Sequence, residues 1–239
     1  MTSGRLPVWR VDFHTHTWHS LDSWLAPAVL VERSRAAGLD RIAVTDHGTI
    51  EGALEARAID PVRVIVGQEI RCEGDTELIG LYLHERIPMG LPIHEVRVRI
   101  HDQGGLVYAP HPYAYGWRWQ WHAERAIAAA DLVEVFNSRA FLPYWNRAAL
   151  TAAQDIGLPG VAGSDAHFPW ELGRAHTLVP SFANATELCA VAPDAKPEGL
   201  RTANPFIHIA SVSLDLGRRV VRSLDRPAKT PVLHRPAEH

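Results

Sequence analysis

Val11-Asp12-Phe13-His14-Thr15-His16-Thr17, with Asp22 close behind, is the stretch that decides how this chain reads. Apolar Val8, Trp9 and Val11 lead into it, so it reads as a strand running into a loop. Side chains alternate along a strand, and residues two apart share a face. His14 and His16 therefore point at the same object. Imidazole is the commonest metal-binding side chain, and a pair on one face is half a binding site. An isolated His-x-His is more often an ordinary strand than a metal site, so the rest of the chain has to decide.

The chain has 239 residues, enough for one large domain. Its 46% hydrophobic content can fill a core, and 21% charged residues is ordinary for a soluble protein. A net charge of −3 gives no bulk attraction to nucleic acid, so a phosphate-bearing ligand has to be held by local charge. Stable duplex binding is not expected. Cys72 and Cys189 are the only cysteines, which excludes a disulfide framework and a zinc ribbon. No apolar run is as long as a membrane span, and Met1 to Arg10 lacks the apolar core of a secretory signal. A soluble, cytoplasmic protein without a membrane partner is the expectation.

Strand-like and helix-like runs alternate along most of the chain. Arg41 to Thr45, Val62 to Val66, Leu106 to Ala109, Leu132 to Phe136 and Gly160 to Ala162 read as strands. Pro27 to Ala37, Glu51 to Ile59, His94 to Gln103, Glu124 to Ala130 and Pro143 to Ile156 read as helices. Glu77 to Leu83 is one more short strand, and the Trp117 to Trp121 segment a loop. This alternation predicts an α/β fold with a parallel sheet, open or closed into a barrel. Nearly every metal-capable residue sits at a strand's C-terminal end: His14 and His16, His47, Glu69, His111, then Asp165 and His167. In a β/α barrel those ends converge on one face, where active sites are built. From residue 193 the chain becomes Pro-rich and polar. It is expected to be a wrapping or partly disordered tail (193–239) on a barrel domain (1–192), with Ile207 to Leu216 as one more strand and Arg218, Arg219 and Arg222 on the segment after it.

With these residues assembled, the chain resembles the PHP (polymerase and histidinol phosphatase) family of metal-dependent phosphoesterases. The matching motifs are His14-Thr15-His16 with Asp22, Thr45-Asp46-His47, Gly67-Gln68-Glu69, Pro110-His111-Pro112 and Ser164-Asp165-Ala166-His167. The resemblance implies a distorted seven-stranded β/α barrel with a cluster of two or three divalent transition metal ions at the strands' C-terminal ends. It implies that His14, His16, Glu69 and Asp165 hold one ion, that Glu69 bridges to a second completed by His111, and that Asp22, His47 and His167 hold a third. Glu69, Asp165 and His167 are then the catalytic group. Where many members place a histidine after the bridging glutamate, this chain has Glu77. It is read as a carboxylate ligand; otherwise the second ion is loosely held.

Charge makes that substitution matter. Four carboxylates (Asp22, Glu69, Glu77, Asp165) against three dications leave +2, and against two dications leave zero. A phosphate dianion gains far more from the first arrangement. A shell of imidazole and carboxylate without thiolate suits Mn, Fe or Zn. A water held by one or two such dications has its pKa lowered towards about 7, which makes a hydroxide nucleophile available. Asp46 and Asn137 are expected to orient ligands or hold substrate. Arg139 and Arg174 can take a phosphate bidentately, and Trp119 can stack a base.

The expected function is hydrolysis of a small phosphomonoester: a nucleotide, a nucleoside bisphosphate or a short RNA end. Histidinol-phosphate phosphatase and a non-catalytic metal-binding domain are the alternatives. A metal-dependent amidohydrolase also opens with His-x-His. Pro110-His111-Pro112 and the lack of a bridging lysine argue against it.

Overall fold

The computed structural model describes residues 6–114 and 120–204, together with 206, 207, 211, 213, 214, 216 and 218. Short apolar runs form the strands β1 (Val8–Thr15), β2 (Arg41–Val44), β3 (Val64–Arg71), β4 (Glu77–Leu81), β5 (Leu106–Ala109), β6 (Leu132–Asn137), β7 (Gly160–Gly163), β8 (His176–Pro180) and β9 (Lys196–Glu198). The helices between them are α1 (Pro27–Ala36), α2 (Glu51–Ile59), α3 (Ile93–Asp102), α4 (Gln120–Ala129), α5 (Pro143–Ile156) and α6 (Ala185–Val191). Pro27 and Pro143 open their helices, where a missing N–H costs nothing. Gly157 ends α5 in the left-handed conformation at φ +71°.

The strands form one sheet in the order β7-β6-β5-β4-β3-β2-β1-β8-β9. Its two ends nearly meet. Beyond β7, Asp165 N–H donates to the His14 carbonyl at 2.8 Å, and His16 N–H donates to the Ala166 carbonyl at 2.9 Å. The sheet thus curls into an almost closed barrel, and the seam of closure runs through the metal motifs.

Two corrections to the expected barrel follow. Nine strands are present among the described residues, not seven, and the sheet is mixed, because β4 and β8 run antiparallel to their neighbours. The tight connection through Glu73–Asp75 between β3 and β4 is too short for a parallel crossover. Reversal has a useful result: Glu77, at the start of β4, pairs with Arg71 at the end of β3. It therefore lies on the same rim as the C-terminal ends of the parallel strands.

The core follows strand alternation. On β2, Ile42 and Val44 join a cluster with Leu30, Ala53, Val96 and Ala153 from the helices. Ala43 faces the other way and joins Val11, Phe13, Ile65, Tyr108 and Val161, a cluster that draws on the strands and on α6 and fills the enclosed side. At about 25 cal/mol per Å² of apolar surface, each fully buried Leu, Ile or Phe contributes about 2 kcal/mol.

The described residues past 192 pack on the barrel. β9 pairs with β8, and the described residues from 206 to 218 are helical. The described residues of the expected strand over Ile207 to Leu216 are thus helical. The alternating Ile, Val and Ser pattern suits a strand, but Ile207, Ser211, Leu214 and Arg218 also recur at helical spacing. Tertiary contacts of Ser211 and Arg218 select the helix over local propensity. No helix among the described residues is long and apolar enough to cross a membrane.

Candidate metal centre

Three groups of donor atoms meet on the closing rim: His14, His16 and Asp165; His14, Glu69 and His111; and His16, His47 and His167. Within each group, one ligand atom per residue lies within 4.8 Å of the others. β1 carries His14 and delivers His16 from its end. β3 carries Glu69, the loop after β2 carries His47, the loop after β5 carries His111, and the loop after β7 carries Asp165 and His167. Two of these sit in strained backbone, His111 at φ +26° and Asp165 at φ +54°. A non-glycine residue at positive φ costs about 1–3 kcal/mol and persists where surrounding contacts demand it.

The ring nitrogens show what the centre is built to hold. His14 Nδ1 faces Glu134 Oε1 at 3.2 Å, and a carboxylate can only accept, so the His14 proton there is on Nδ1. Ser20 Oγ donates to Asp46 Oδ1 at 2.8 Å and faces His16 Nδ1 at 3.2 Å, so His16 donates from Nδ1 to the hydroxyl. Both Nε2 atoms then face each other at 3.0 Å. Two lone pairs cannot share that gap without a positive charge between them. Glu69 Oε2 looks into the same space, 3.5 Å from His14 Nε2, 3.4 Å from His16 Nε2 and 3.0 Å from His47 Nδ1, yet it accepts no aligned hydrogen bond. Asp165 Oδ1 closes the ring at 3.3 Å from His16 Nε2. A buried carboxylate oxygen that accepts no aligned hydrogen bond among imidazoles suits a cation.

Asp22 shows the same signature. Its Oδ2 lies 3.0 Å from His167 Nε2 and 3.4 Å from His47 Nε2, and its Oδ1 is buried without a hydrogen bond. His167 Nδ1 faces the Asp165 carbonyl at 2.8 Å, which leaves Nε2 pointing at Asp22.

Proton affinities follow from this crowding. Burial, then the charges of His167 and His47, push His16 down to about 3, so it is neutral and ready to donate a lone pair. For His14 burial opposes the cation, but Asp165 and then Glu134 outweigh it and hold the ring well above the ordinary histidine range. His111 rises to about 9: burial works against it, and the hydrogen bond to Glu69 together with the charges of Glu69, Glu77 and Asp165 outweighs burial. Where no metal ion binds, protons supply the positive charge these carboxylates require. The clusters suit divalent metal ions, which displace those protons.

Glu134 on β6 is a site residue that the sequence reading passed over. It is buried, and besides His14 it accepts from His111 N–H at 2.7 Å and Asn137 Nδ2 at 3.0 Å. Its only sequence signal was a carboxylate in the middle of apolar Leu132-Val133-Glu134-Val135. Gly163 lets it pack there: a Cβ at that position would strike Glu134 Oε1 and the His14 side chain. Asn137 also donates to Asp165 Oδ2 at 3.2 Å, so it orients a ligand. Asp46 does the same at one remove, gripping Thr17 N–H at 2.6 Å and Ser20. His19, a rival to Asp22 by position, turns away to Glu55.

Three expected site residues fall differently, and a fourth lies outside the described residues. Arg139 is 3% exposed and gripped by Glu171, Nε to Oε1 at 3.0 Å and Nη2 to Oε2 at 2.8 Å, so its fork faces a carboxylate of the chain itself. A partner 32 residues downstream could not be read from the local motif. Arg174 lies over the backbone carbonyls of Trp170 and Thr202, each at 3.4 Å. Glu77 is on the rim beside His111, in a cavity of about 70 Å³ that His122 also lines, but it completes none of the three donor groups. Burial and then the Glu69 charge raise its carboxyl. Trp119 lies outside the described residues, as does Trp117, and the helix expected from Glu124 already starts at Gln120.

A family model described as the PHP domain matches residues 12–94, and one described as PHP-associated matches residues 143–192. Two proteins of Methanocaldococcus jannaschii that carry no functional name are similar in sequence. One is 36% identical over 116 residues, 43% of this chain and 67% of that protein. The other is 34% identical over 173 residues, 70% of this chain and 69% of that one.

The chain belongs to the PHP family. Solved structures share its fold at low identity. A two-domain protein from Bacteroides vulgatus containing a PHP-like metal-dependent phosphoesterase superposes with a TM-score of 0.64 at 18% identity, covering 87% of this chain and 70% of that one. PsfC from Pseudomonas syringae gives 0.63 at 16% identity, covering 89% and 100%. The lesion-specific endonuclease Q of Pyrococcus furiosus gives 0.59 at 16% identity, covering 80% of this chain and 58% of its own length. The PHP-type barrel fold thus belongs to this chain.

Proposed function

We propose that this protein is a metal-dependent phosphoesterase that hydrolyses a small phosphomonoester, such as a nucleotide, a nucleoside bisphosphate or a short RNA end. The observation that carries the reading is the 3.0 Å gap between two imidazole lone pairs, flanked by the unpaired oxygen of Glu69. His14, His16, Glu69 and Asp165 would hold one ion, Glu69 and His111 a second with Glu77 at its edge, and Asp22, His47 and His167 a third. Manganese, iron or zinc fits this donor set.

Such ions, when bound, supply Lewis acidity and a water of lowered pKa. The chain's own residues supply the rest. Glu69 turns Oε1 toward His111 at 3.2 Å and Oε2 toward His14, His16 and His47, so one carboxylate spans the whole centre. Asn137 holds Asp165 Oδ2 and leaves Oδ1 aimed inward. Glu134 keeps the His14 proton on Nδ1. Charge favours three ions more strongly than the sequence suggested. Counting Glu134 with Asp22, Glu69, Glu77 and Asp165, three dications leave +1 and two leave −1, which would repel a phosphate dianion.

The test is phosphate release from a panel of adenosine monophosphate, adenosine 3′,5′-bisphosphate, 5′-phosphorylated dinucleotides and histidinol phosphate, with Mn²⁺ supplied. Turnover of a nucleotide-type substrate that vanishes in His14→Ala supports the reading. Turnover of histidinol phosphate alone would replace the nucleotide assignment. No release from any phosphomonoester by metal-loaded protein would overturn it.

A further inference from the structure

The loop that carries Asp22 is held to the barrel rim by Thr17 N–H and Ser20 Oγ on Asp46 and by Ser23 Oγ and Trp24 N–H on the His167 carbonyl, leaving Leu21 and Asp22 between these fastenings. It runs from Thr17 to Leu25 as turns, with Ser20 N–H on the Thr17 carbonyl and Ser23 N–H on the Ser20 carbonyl. Three of its backbone carbonyls, those of Ser20, Leu21 and Ser23, converge on one point. At that point lies Arg218 Nη1, at 3.2, 3.2 and 2.8 Å. Converging carbonyl dipoles repel one another, and an arginine nitrogen is a permanent cation with hydrogens to share among them. Arg218 comes from the C-terminal helical segment, close to two hundred residues away in sequence.

The same segment reaches the other loop of the third ion position. Ser211, 4% exposed, accepts from Arg139 Nη1 at 3.0 Å. Arg139 grips Glu171, and Glu171 Oε2 in turn accepts from His167 N–H at 2.9 Å and Phe168 N–H at 3.0 Å. The segment is itself fastened to the barrel on the way, by Ala203 N–H on the Ser138 carbonyl at 2.6 Å, by Ser138 Oγ donating to the Arg201 carbonyl, and by Arg201 N–H on the Arg174 carbonyl at 3.0 Å. Asp22 and His167, the two ligands so supported, face each other at 3.0 Å.

We propose that Arg218 is a positioning residue for the ion position formed by Asp22, His47 and His167, and that the C-terminal segment clamps the Asp22 loop directly and the His167 loop through Ser211, Arg139 and Glu171. The inference rests on the metal reading above. The ions held by His14, Glu69, Asp165 and His111 sit on residues of or adjoining β1, β3, β5 and β7 and do not depend on the clamp. Losing Arg218 should therefore empty one position and spare the others.

The experiment counts ions. Full-length wild type, Arg218→Ala, Arg218→Lys, Ser211→Ala and Asp22→Ala are dialysed against a series of Mn²⁺ concentrations. Bound metal per chain is then measured by mass spectrometry, with thermal melts of the metal-free proteins alongside. In Arg218→Ala the last equivalent of metal weakens by about 10–100-fold, the range for residues that orient ligands, while the earlier equivalents bind as in wild type. Arg218→Lys recovers part of the loss, because an ammonium can still reach the carbonyls. Ser211→Ala gives a smaller loss in the same direction, and Asp22→Ala loses that equivalent outright. An Arg218→Ala protein that fills every position with wild-type affinity overturns the inference alone, as does equal weakening of all positions. A wild type that takes up no metal overturns the metal reading and the inference with it.

Discussion

The two halves of the metal centre are held by different means. His14, His16 and Glu69 lie on or at the ends of strands, are at most 2% exposed, and are backed by Glu134 of β6 behind His14 and by Asp46 and the Ser20 hydroxyl behind His16. Asp22, His47 and His167 lie on loops, and the Asp22 and His47 side chains are 24% and 39% exposed. Their support comes from turns, from Glu171 and from the C-terminal segment. Strand-borne ligands inherit the rigidity of a closed barrel, whereas loop-borne ligands need separate fastening. One half is built for permanence, and the other can be altered without disturbing the core.

The largest break in that contrast comes from the strand-borne half. Asp165→Ala or His14→Ala should bring phosphate release to background while the protein keeps a cooperative melt, read by activity and circular dichroism together. A melt that loses cooperativity would mean that the strand-borne ligands hold the fold as well as the ions. Next in size is Glu134→Ala, which frees the His14 ring and leaves His111 N–H without its acceptor. Metal affinity of the first positions should fall about 10–100-fold, with Glu134→Gln intermediate, as metal titration would show.

The pH dependence sharpens the contrast further. His14, His47 and His111 are raised in the metal-free fold, so the stability their protonation contributes is fully present below the ordinary histidine value near 6.5. It is lost as pH rises through the folded values, about 9 for His111. Metal ions replace those protons, so the rise in melting temperature on adding Mn²⁺ should grow from pH 6.5 to 9. A shift that shrinks over that range would contradict the assignment of protons and metal to the same sites. The smallest effect is expected at the joint between the halves. Ser20→Ala removes a hydroxyl that bonds Asp46, His16 and the His47 N–H, and should destabilise the metal-free protein by about 1–3 kcal/mol.

The strand-borne half was legible in the sequence because strand period and strand ends are local features. His14-Thr15-His16 and Glu69 stand out within a few residues, and so does Asp165-Ala166-His167 just past the end of β7. What was not legible depends on distant partners. Glu134 reads as one carboxylate in an apolar strand until His14 is seen across the barrel from it. Arg139 reads as a free phosphate fork until Glu171 takes both of its arms. Arg218 and Ser211 lie in a stretch whose alternating pattern suggests a strand, and the contacts of Arg218 with the Asp22 loop and of Ser211 with Arg139 go with helical backbone at the described residues. The antiparallel turn of β4, which brings Glu77 to the rim, is set by a connection whose shortness is visible but whose consequence is topological.

The most direct test is an anomalous-scattering map of crystals of the Mn²⁺-loaded protein. A peak should stand between His14 Nε2, His16 Nε2, Glu69 and Asp165, with a second beside Glu69 and His111 and a third among Asp22, His47 and His167. A map without density between the two Nε2 atoms, with the His14 and His16 rings turned apart, would contradict the metal centre and the phosphoesterase built on it.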